Sequence, residues 1–193
     1  MKKTLYDLTK DDWNRLFPVE LVDHDPNWKH IYNDEKATIL ETIDSKFITG
    51  IEHFGSTSIP NIKAKPYIDI IIETPKDLLF NEDLINAFGK LGYVYFKVPQ
   101  RDQFEAYMSF GKGYNLEVLK EQIFHIHMCS QDNMMWHQTG FRDYLIANPK
   151  SAKAYEDLKI ELATTHKDDR GSYVLLKTDF INEILALIQE QSN

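Results

Sequence analysis

Apolar and polar positions alternate along this chain with two different periods, and the changes of period mark its elements. Thr9 to Phe17 reads as a short helix, capped by Thr9 and stopped before Pro18. Val19 to Val22 reads as a short strand. Asp25-Pro26 predicts an N-cap followed by proline at the first helical position. The helix it opens buries a face made of Trp28, Ile31, Tyr32, Ile39, Leu40 and Ile43. Two extended runs follow. Ile51 to Phe54 ends in Gly55-Ser56, and Tyr67 to Glu73 is a β-branched run interrupted by Asp69. Thr74-Pro75 breaks the chain, and Leu78 to Leu91 forms an amphipathic helix closed by Gly92.

Extended patterning then returns at Tyr93 to Val98, Phe104 to Phe110, Tyr114 to Leu119 and Ile123 to Cys129. These predict antiparallel strands, two of them joined as a hairpin by a turn at Gly111-Lys112-Gly113. From Asp132 onward the period is helical. Phe141 and Leu145 support a first helix ending near Asn148-Pro149. Ser151 to His166 forms a second, with Ala154, Leu158 and Leu162 on its face. Asp168 or Asp169 caps a third that contains Val174, Leu175, Phe180, Ile181, Ile184 and Leu185. A mixed sheet with early helices and a C-terminal helical tail is an α+β plan.

Composition narrows the function classes. The 193 residues form one domain with a core of useful size. We divide it into an α/β core over 19–130 and C-terminal helices over 131–193. With 22 basic and 30 acidic residues the net charge is −8, which argues against electrostatic capture of extended nucleic acid. A local basic pocket is compatible with that charge. The single cysteine, Cys129, excludes an intrachain disulfide and suits a reducing cytoplasm. Its apolar strand context reads as a buried structural thiol. Met1-Lys2-Lys3 is followed by polar residues rather than a signal sequence, and no apolar run approaches membrane-spanning length. The expected location is cytoplasmic.

Candidate chemistry centres on Gly55-Ser56 and Asp69. A small pair at a strand end turns the backbone sharply and brings N–H groups and a hydroxyl close to a phosphate. A carboxylate among isoleucines needs a metal ion or a basic group as partner. His125 and His127 alternate with apolar residues, so they share a strand face. They are either imidazole ligands to a metal or phosphate, or a polar, partly solvated sheet face. Glu117 is a further candidate acid, and His53 belongs either to that face or beneath the Gly-Ser turn. Lys63 and Lys65 lie in the loop between the motif strands. Arg170, Tyr173 and Lys177, at i, i+3 and i+7, line one side of the last helix. Tyr173 either stacks on a base or belongs to the core. Lys63 is read as a surface ion pair, and Arg142 pairs with Asp143 or serves a phosphate.

The hydrophobic–Gly55–Ser56 pair, a gap, and Asp69 within a hydrophobic strand resemble the signature of the nucleotidyltransferase fold. The fuller string Ile51 to Pro60, with Ala64-Lys65-Pro66 and Ile68-Asp69-Ile70, is similar to the GrpB family. His125-Ile126-His127, Phe141 to Leu145, and Asp169-Arg170 with Tyr173 and Lys177 extend the resemblance over nearly the whole chain.

That resemblance implies a nucleotidyltransferase-like mixed sheet flanked by helices, and a site that binds a nucleoside triphosphate with Mg2+ or Mn2+. On this reading Asp69 holds the metal and Gly55 and Ser56 contact the phosphates. Lys65, Arg142, Arg170 and Lys177 neutralise them, with Tyr173 beside them, and a nucleotidyl group passes to a small acceptor. Asp69 and His127 are the expected catalytic pair, and Asp69, His125 and His127 the expected metal ligands. One departure stands out: the fold's second acid, two residues along the strand, is Ile71 here. Glu73 shares Asp69's face but lies roughly 13 Å along the strand, too far to share one ion. Two alternatives follow, a non-catalytic nucleotide-binding or interaction module linked to coenzyme or nucleotide metabolism, and a histidine-based metal-dependent hydrolase.

Overall fold

In the computed structural model, which describes residues 4–101, 105–116, 121–167 and 169–191, the β-branched and aromatic runs form one five-stranded sheet. Its strands are β1 (Gly50–Phe54), β2 (Tyr67–Glu73), β3 (Val94–Val98), β4 (Tyr107–Lys112) and β5 (Ile123–Cys129), in the order β1-β2-β5-β4-β3. The β2–β5 pair is parallel and the others antiparallel, so the sheet is mixed. The fold is α+β, as expected.

Strand alternation divides the sheet into two faces. Ile68, Ile70 and Ile72 of β2 and Phe124, Ile126 and Met128 of β5 enter the main core. There they meet Trp28, Tyr32 and Ile39 of α2 (Trp28–Thr42) and Leu84 and Phe88 of α3 (Glu82–Lys90). The other β2 and β5 positions, Asp69, Ile71, His125, His127 and Cys129, lie on the opposite face. Fully burying one such isoleucine or phenylalanine is worth about 1.5–3 kcal/mol, so this core fixes the strand register and hence which residues face away from it.

Several elements differ from their expected bounds. Val19–Val22 is not a strand; only Val22 forms a bridge, with Ala64. The α2 helix starts at Trp28 with Asn27 as N-cap, because the Asp25 carboxylate accepts the Asn27 N–H two residues on and closes a turn. Leu40 is exposed there, and Glu35 occupies the buried face, where Lys112 and Tyr93 both donate to it. The α3 helix begins only at Glu82, after Asn81, whose side chain caps it. Gly111 and Lys112 continue β4 instead of turning, and β4 pairs directly with β5. Glu117, Phe104 and Asp168 lie outside the described residues.

Near the N-terminus, helix α1 (Lys10–Leu16) opens with a Thr9–Asp12 capping box. Helices α4 (His137–Ala147), α5 (Pro149–Thr165), α6 (Arg170–Leu175) and α7 (Thr178–Gln191) follow. Phe141, Leu145, Tyr155 and Ile184 pack with Ile59 and Ile62 from the loop after β1. The buried face of α5 is Ala152, Tyr155, Glu156, Lys159 and Leu162, and Ala154 is exposed. The expected single last helix is two helices, with Lys177 in the break between them. Val174 and Leu175 are exposed rather than core.

A candidate metal and anion site

Parallel pairing of β2 with β5 sets Asp69 directly opposite His125, and Ile71 opposite His127. Both imidazoles therefore flank the Asp69 carboxylate on one face. Asp69, His125 and His127 each offer a ligand atom, and these atoms all lie within 4.8 Å of one another. The closest approach between Asp69 and His125 is 3.7 Å, from Oδ1 to Nδ1. Donors bound at about 2.1 Å around a tetrahedral ion stand about 3.4 Å apart, a spacing that side-chain rotation can close. Two imidazoles and a carboxylate are a donor set suited to Mn2+, Fe2+ or Zn2+.

Each imidazole is oriented by a neighbour on β4. The His125 Nε2 lies 3.0 Å from Ser109 Oγ, and the His127 Nδ1 lies 3.3 Å from the Tyr107 hydroxyl. Such contacts fix ring orientation and leave the other nitrogen for a ligand. The His127 ring also packs edge-on against Phe54 and sits 4.3 Å from the His125 ring. Burial, then the neighbouring His125, pushes the His127 imidazole down to about 3, so it is neutral at physiological pH. Burial works to raise the Asp69 carboxyl, but the His125 ring 3.7 Å away and, after it, the neighbouring His127 and Lys65 side chains hold it below the ordinary value. An ionised carboxylate beside a neutral imidazole is the state a cation needs. Tyr107 and Ser109 escaped the sequence reading, although their shared strand parity was a readable signal.

The turn after β1 completes one edge. Gly55 has φ +72°, and a Cβ there would lie 2.3 Å from Asp69 Oδ2, so only glycine lets this backbone meet the carboxylate. Beneath the turn, Thr57 donates to the Tyr67 carbonyl, so its Oγ1 accepts from His53 Nε2 at 3.0 Å. Ser58 donates to the Gly55 carbonyl at 2.6 Å. The His53 ring stacks on Tyr32, and burial pushes its imidazole down to about 4. His53 is therefore a support for the turn and sits on the buried side of β1.

A cleft of about 140 Å³ opens beside this cluster, lined by Gly55, Ser56, Asp69, Gln138, Arg142 and Lys177, with Tyr155 and Phe141 among its apolar walls. Arg142 is engaged by the protein. Its guanidinium donates to the His53 carbonyl, to Glu52 at 2.8 Å and to Asp143 at 2.8 Å, and it ties α4 to β1. Of the two readings of Arg142, the structure contains the Asp143 pairing. Tyr173 is 1% exposed, so its ring belongs to the core and is closed to a base. It serves as a platform instead, with the Lys177 Nζ 4.7 Å and the Lys65 Nζ 5.8 Å from its centroid. Lys63 pairs with Asp23 at the surface, as expected. The Arg170 side chain lies outside the described residues. Glu73 accepts from Thr49 at 2.8 Å at the far end of β2, away from the cluster. Cys129 is fully buried, and burial raises its thiol to about 12, as befits a structural cysteine.

Comparison with known proteins agrees with this architecture. The family description "GrpB protein" matches residues 18–187. The glutamate-rich protein GrpB of Alkalihalophilus pseudofirmus is 39% identical over 171 residues, covering 86% of this chain and 94% of that protein. UPF0157 protein YqkA of Bacillus subtilis is 32% identical over 170 residues, and the match spans only 47% of its length. Among solved structures, the conserved protein GrpB from Enterococcus faecalis superposes with a TM-score of 0.73 at 27% identity, covering 90% of this chain and 99% of that one. No helix among the described residues is long and apolar enough to cross a membrane. With its mixed five-stranded sheet, its C-terminal helices and a match over most of its length, this chain belongs to the GrpB family.

Proposed function

We propose that this protein is a cytoplasmic, metal-dependent binder of nucleoside triphosphates that transfers a nucleotidyl group to a small acceptor. The observation that carries the reading is the convergence of Asp69, His125 and His127, with Asp69 also lining a cleft that it shares with Gly55, Ser56 and Lys177. The cleft's volume, about 140 Å³, is below the roughly 300–1,000 Å³ that encloses a whole drug-sized ligand. It therefore takes the phosphates, with the nucleoside outside. Asp69, His125 and His127 would hold one divalent cation, which when bound supplies charge neutralisation at a phosphoryl oxygen. Lys65 and Lys177, steadied on Tyr173, compensate the remaining phosphate charge, and the Gly55–Ser56 turn presents backbone N–H groups to it. The imidazole content favours Mn2+ over Mg2+, which prefers oxygen ligands.

Thermal unfolding with each nucleoside triphosphate, with and without Mn2+ or Mg2+, tests this in the parent and in Asp69→Asn. Ligand at about 100 times its Kd stabilises by roughly 2.7 kcal/mol, several degrees for a chain of this size. A metal-dependent shift that disappears in Asp69→Asn is expected. No shift with any nucleotide overturns the reading.

Ile71 favours a second reading. A buried isoleucine in place of the second carboxylate leaves Asp69 as the one acid of the cluster among the described residues, which suits a single-ion centre of the hydrolytic type. Hydrolysis of a nitrophenyl phosphate ester by the Mn2+- or Zn2+-loaded protein, without nucleotidyl transfer, would select it.

A further inference from the structure

Both polar groups of the Lys63 peptide are held by one turn of α5. The Lys63 N–H donates to Glu156 Oε1 at 2.6 Å, and the Lys63 carbonyl accepts from the Lys159 ammonium. Glu156 and Lys159 stand at i and i+3, which places them on one helix face. On the far side the next residue, Ala64, exchanges both of its backbone hydrogen bonds with Val22, at 2.9 and 3.0 Å. The segment leading to Lys65 is thus gripped from two sides, and Lys65 follows at once with its ammonium over Tyr67 and Tyr173.

Lys159 is 1% exposed, among the most buried large side chains of the protein. Its ammonium lies 4.9 Å from the centroid of Tyr155, a wall of the cleft. Burying an ammonium is costly, and an apolar side chain of similar length would fill the space without that cost. A burial of this kind calls for a return other than stability. Glu156, 9% exposed, is itself held by Lys153 at 2.8 Å. Burial and then the charge of Lys177 push the Lys159 ammonium down to about 7, with Glu156 opposing. A ligand phosphate beside Lys177 would relieve that repulsion.

We infer that Glu156 and Lys159 are positioning residues that seat the Lys63–Lys65 segment, and through it Lys65, at the anion end of the cleft. This rests on the reading of the cleft as a phosphate site. It makes the C-terminal helices part of that site, although neither residue lines the cleft.

Calorimetric titration of the full chain with inorganic tripolyphosphate and Mn2+ tests it, using Lys65→Met, Lys159→Met and the double variant. Each single variant is expected to weaken binding about tenfold, and the double variant no further than the weaker single one. A Lys159→Met protein that is less thermostable but binds like the parent has lost only structure, and that result overturns the inference while leaving the phosphate site intact. Losses that multiply in the double variant also overturn it, because Lys159 then acts as an independent charge. Should Lys159→Met fail to fold, Glu156→Gln replaces it. That variant keeps an acceptor for the Lys63 N–H but loosens the clamp; it is expected to bind several-fold more weakly and to show no further loss with Lys65→Met, and parental affinity counts against the inference. A parent that does not bind tripolyphosphate removes the phosphate site and the inference together.

Discussion

Ile71 and His127 are register partners on adjacent parallel strands. Where the nucleotidyltransferase pattern calls for a second acid, β2 supplies a fully buried isoleucine and the neighbouring strand supplies an imidazole on the same face. A cation held here would meet one carboxylate and two imidazoles across two strands instead of two carboxylates on one strand. His127→Ala should lower Mn2+ affinity at least tenfold. Equilibrium dialysis of the parent and variant reads this directly, and equal metal content in the two would sink the assignment.

Gly55 and Asp69 cannot both keep their places if a methyl group is added. With φ at +72° and a Cβ only 2.3 Å from the carboxylate oxygen, Gly55→Ala must move the turn or the acid. Expected are a loss of about 2–4 kcal/mol in urea unfolding and loss of the nucleotide-dependent thermal shift. Ser56→Ala should leave stability within about 0.5 kcal/mol.

His53 makes stability depend on pH in a definite direction. Its folded-state imidazole titrates at about 4, below the ordinary 6.5, so the unfolded chain binds the proton more readily. Stability is full above pH 6.5 and falls as pH drops toward 4, by about 3 kcal/mol from this group alone. Urea midpoints measured from pH 7.5 to 4.5 should decline, and His53→Gln should flatten the slope. An unchanged slope in the variant would show that another group carries it.

Arg142 contributes mainly through structure. Its side chain is 14% exposed, and its guanidinium binds Glu52, Asp143 and the His53 carbonyl. Arg142→Met leaves that carbonyl without its donor and loosens α4 from β1, at a cost of about 1–3 kcal/mol. Denaturant unfolding measures it. Nucleotide affinity at saturating Mn2+ should change less than in Lys177→Met.

Cys129 should be silent to thiol reagents in the native state. Its Sγ is buried and its thiol is held in the protonated form up to about pH 12. Labelling with a chromogenic disulfide should require denaturant, with one equivalent reacting on unfolding.

Much of this was legible in residue order. Strands β1, β2 and β5 announced themselves through β-branched runs, and the carboxylate in β2 and alternating histidines in β5 pointed to one face. Residue order did not carry the parallel pairing that makes Asp69 and His125 neighbours, because strand partners are chosen by tertiary packing. Lys159 was unreadable for a different reason. A lysine in a helix is usually solvated, and only its bond to the Lys63 carbonyl explains why this one faces inward. The break at Leu176-Lys177 likewise lacked a proline or glycine to announce it.

The parallel β2–β5 pair also sets the order in which the site can come into being. Between the two strands the chain builds α3, β3 and β4, and closing so large a loop precedes any reward from the pairing. A nascent chain that has emerged only as far as Glu73 carries the acid without either imidazole. On the proposed metal-binding reading, high-affinity capture of a cation would be withheld until the sheet is whole, and metal uptake during refolding would be a clock for its last central strand.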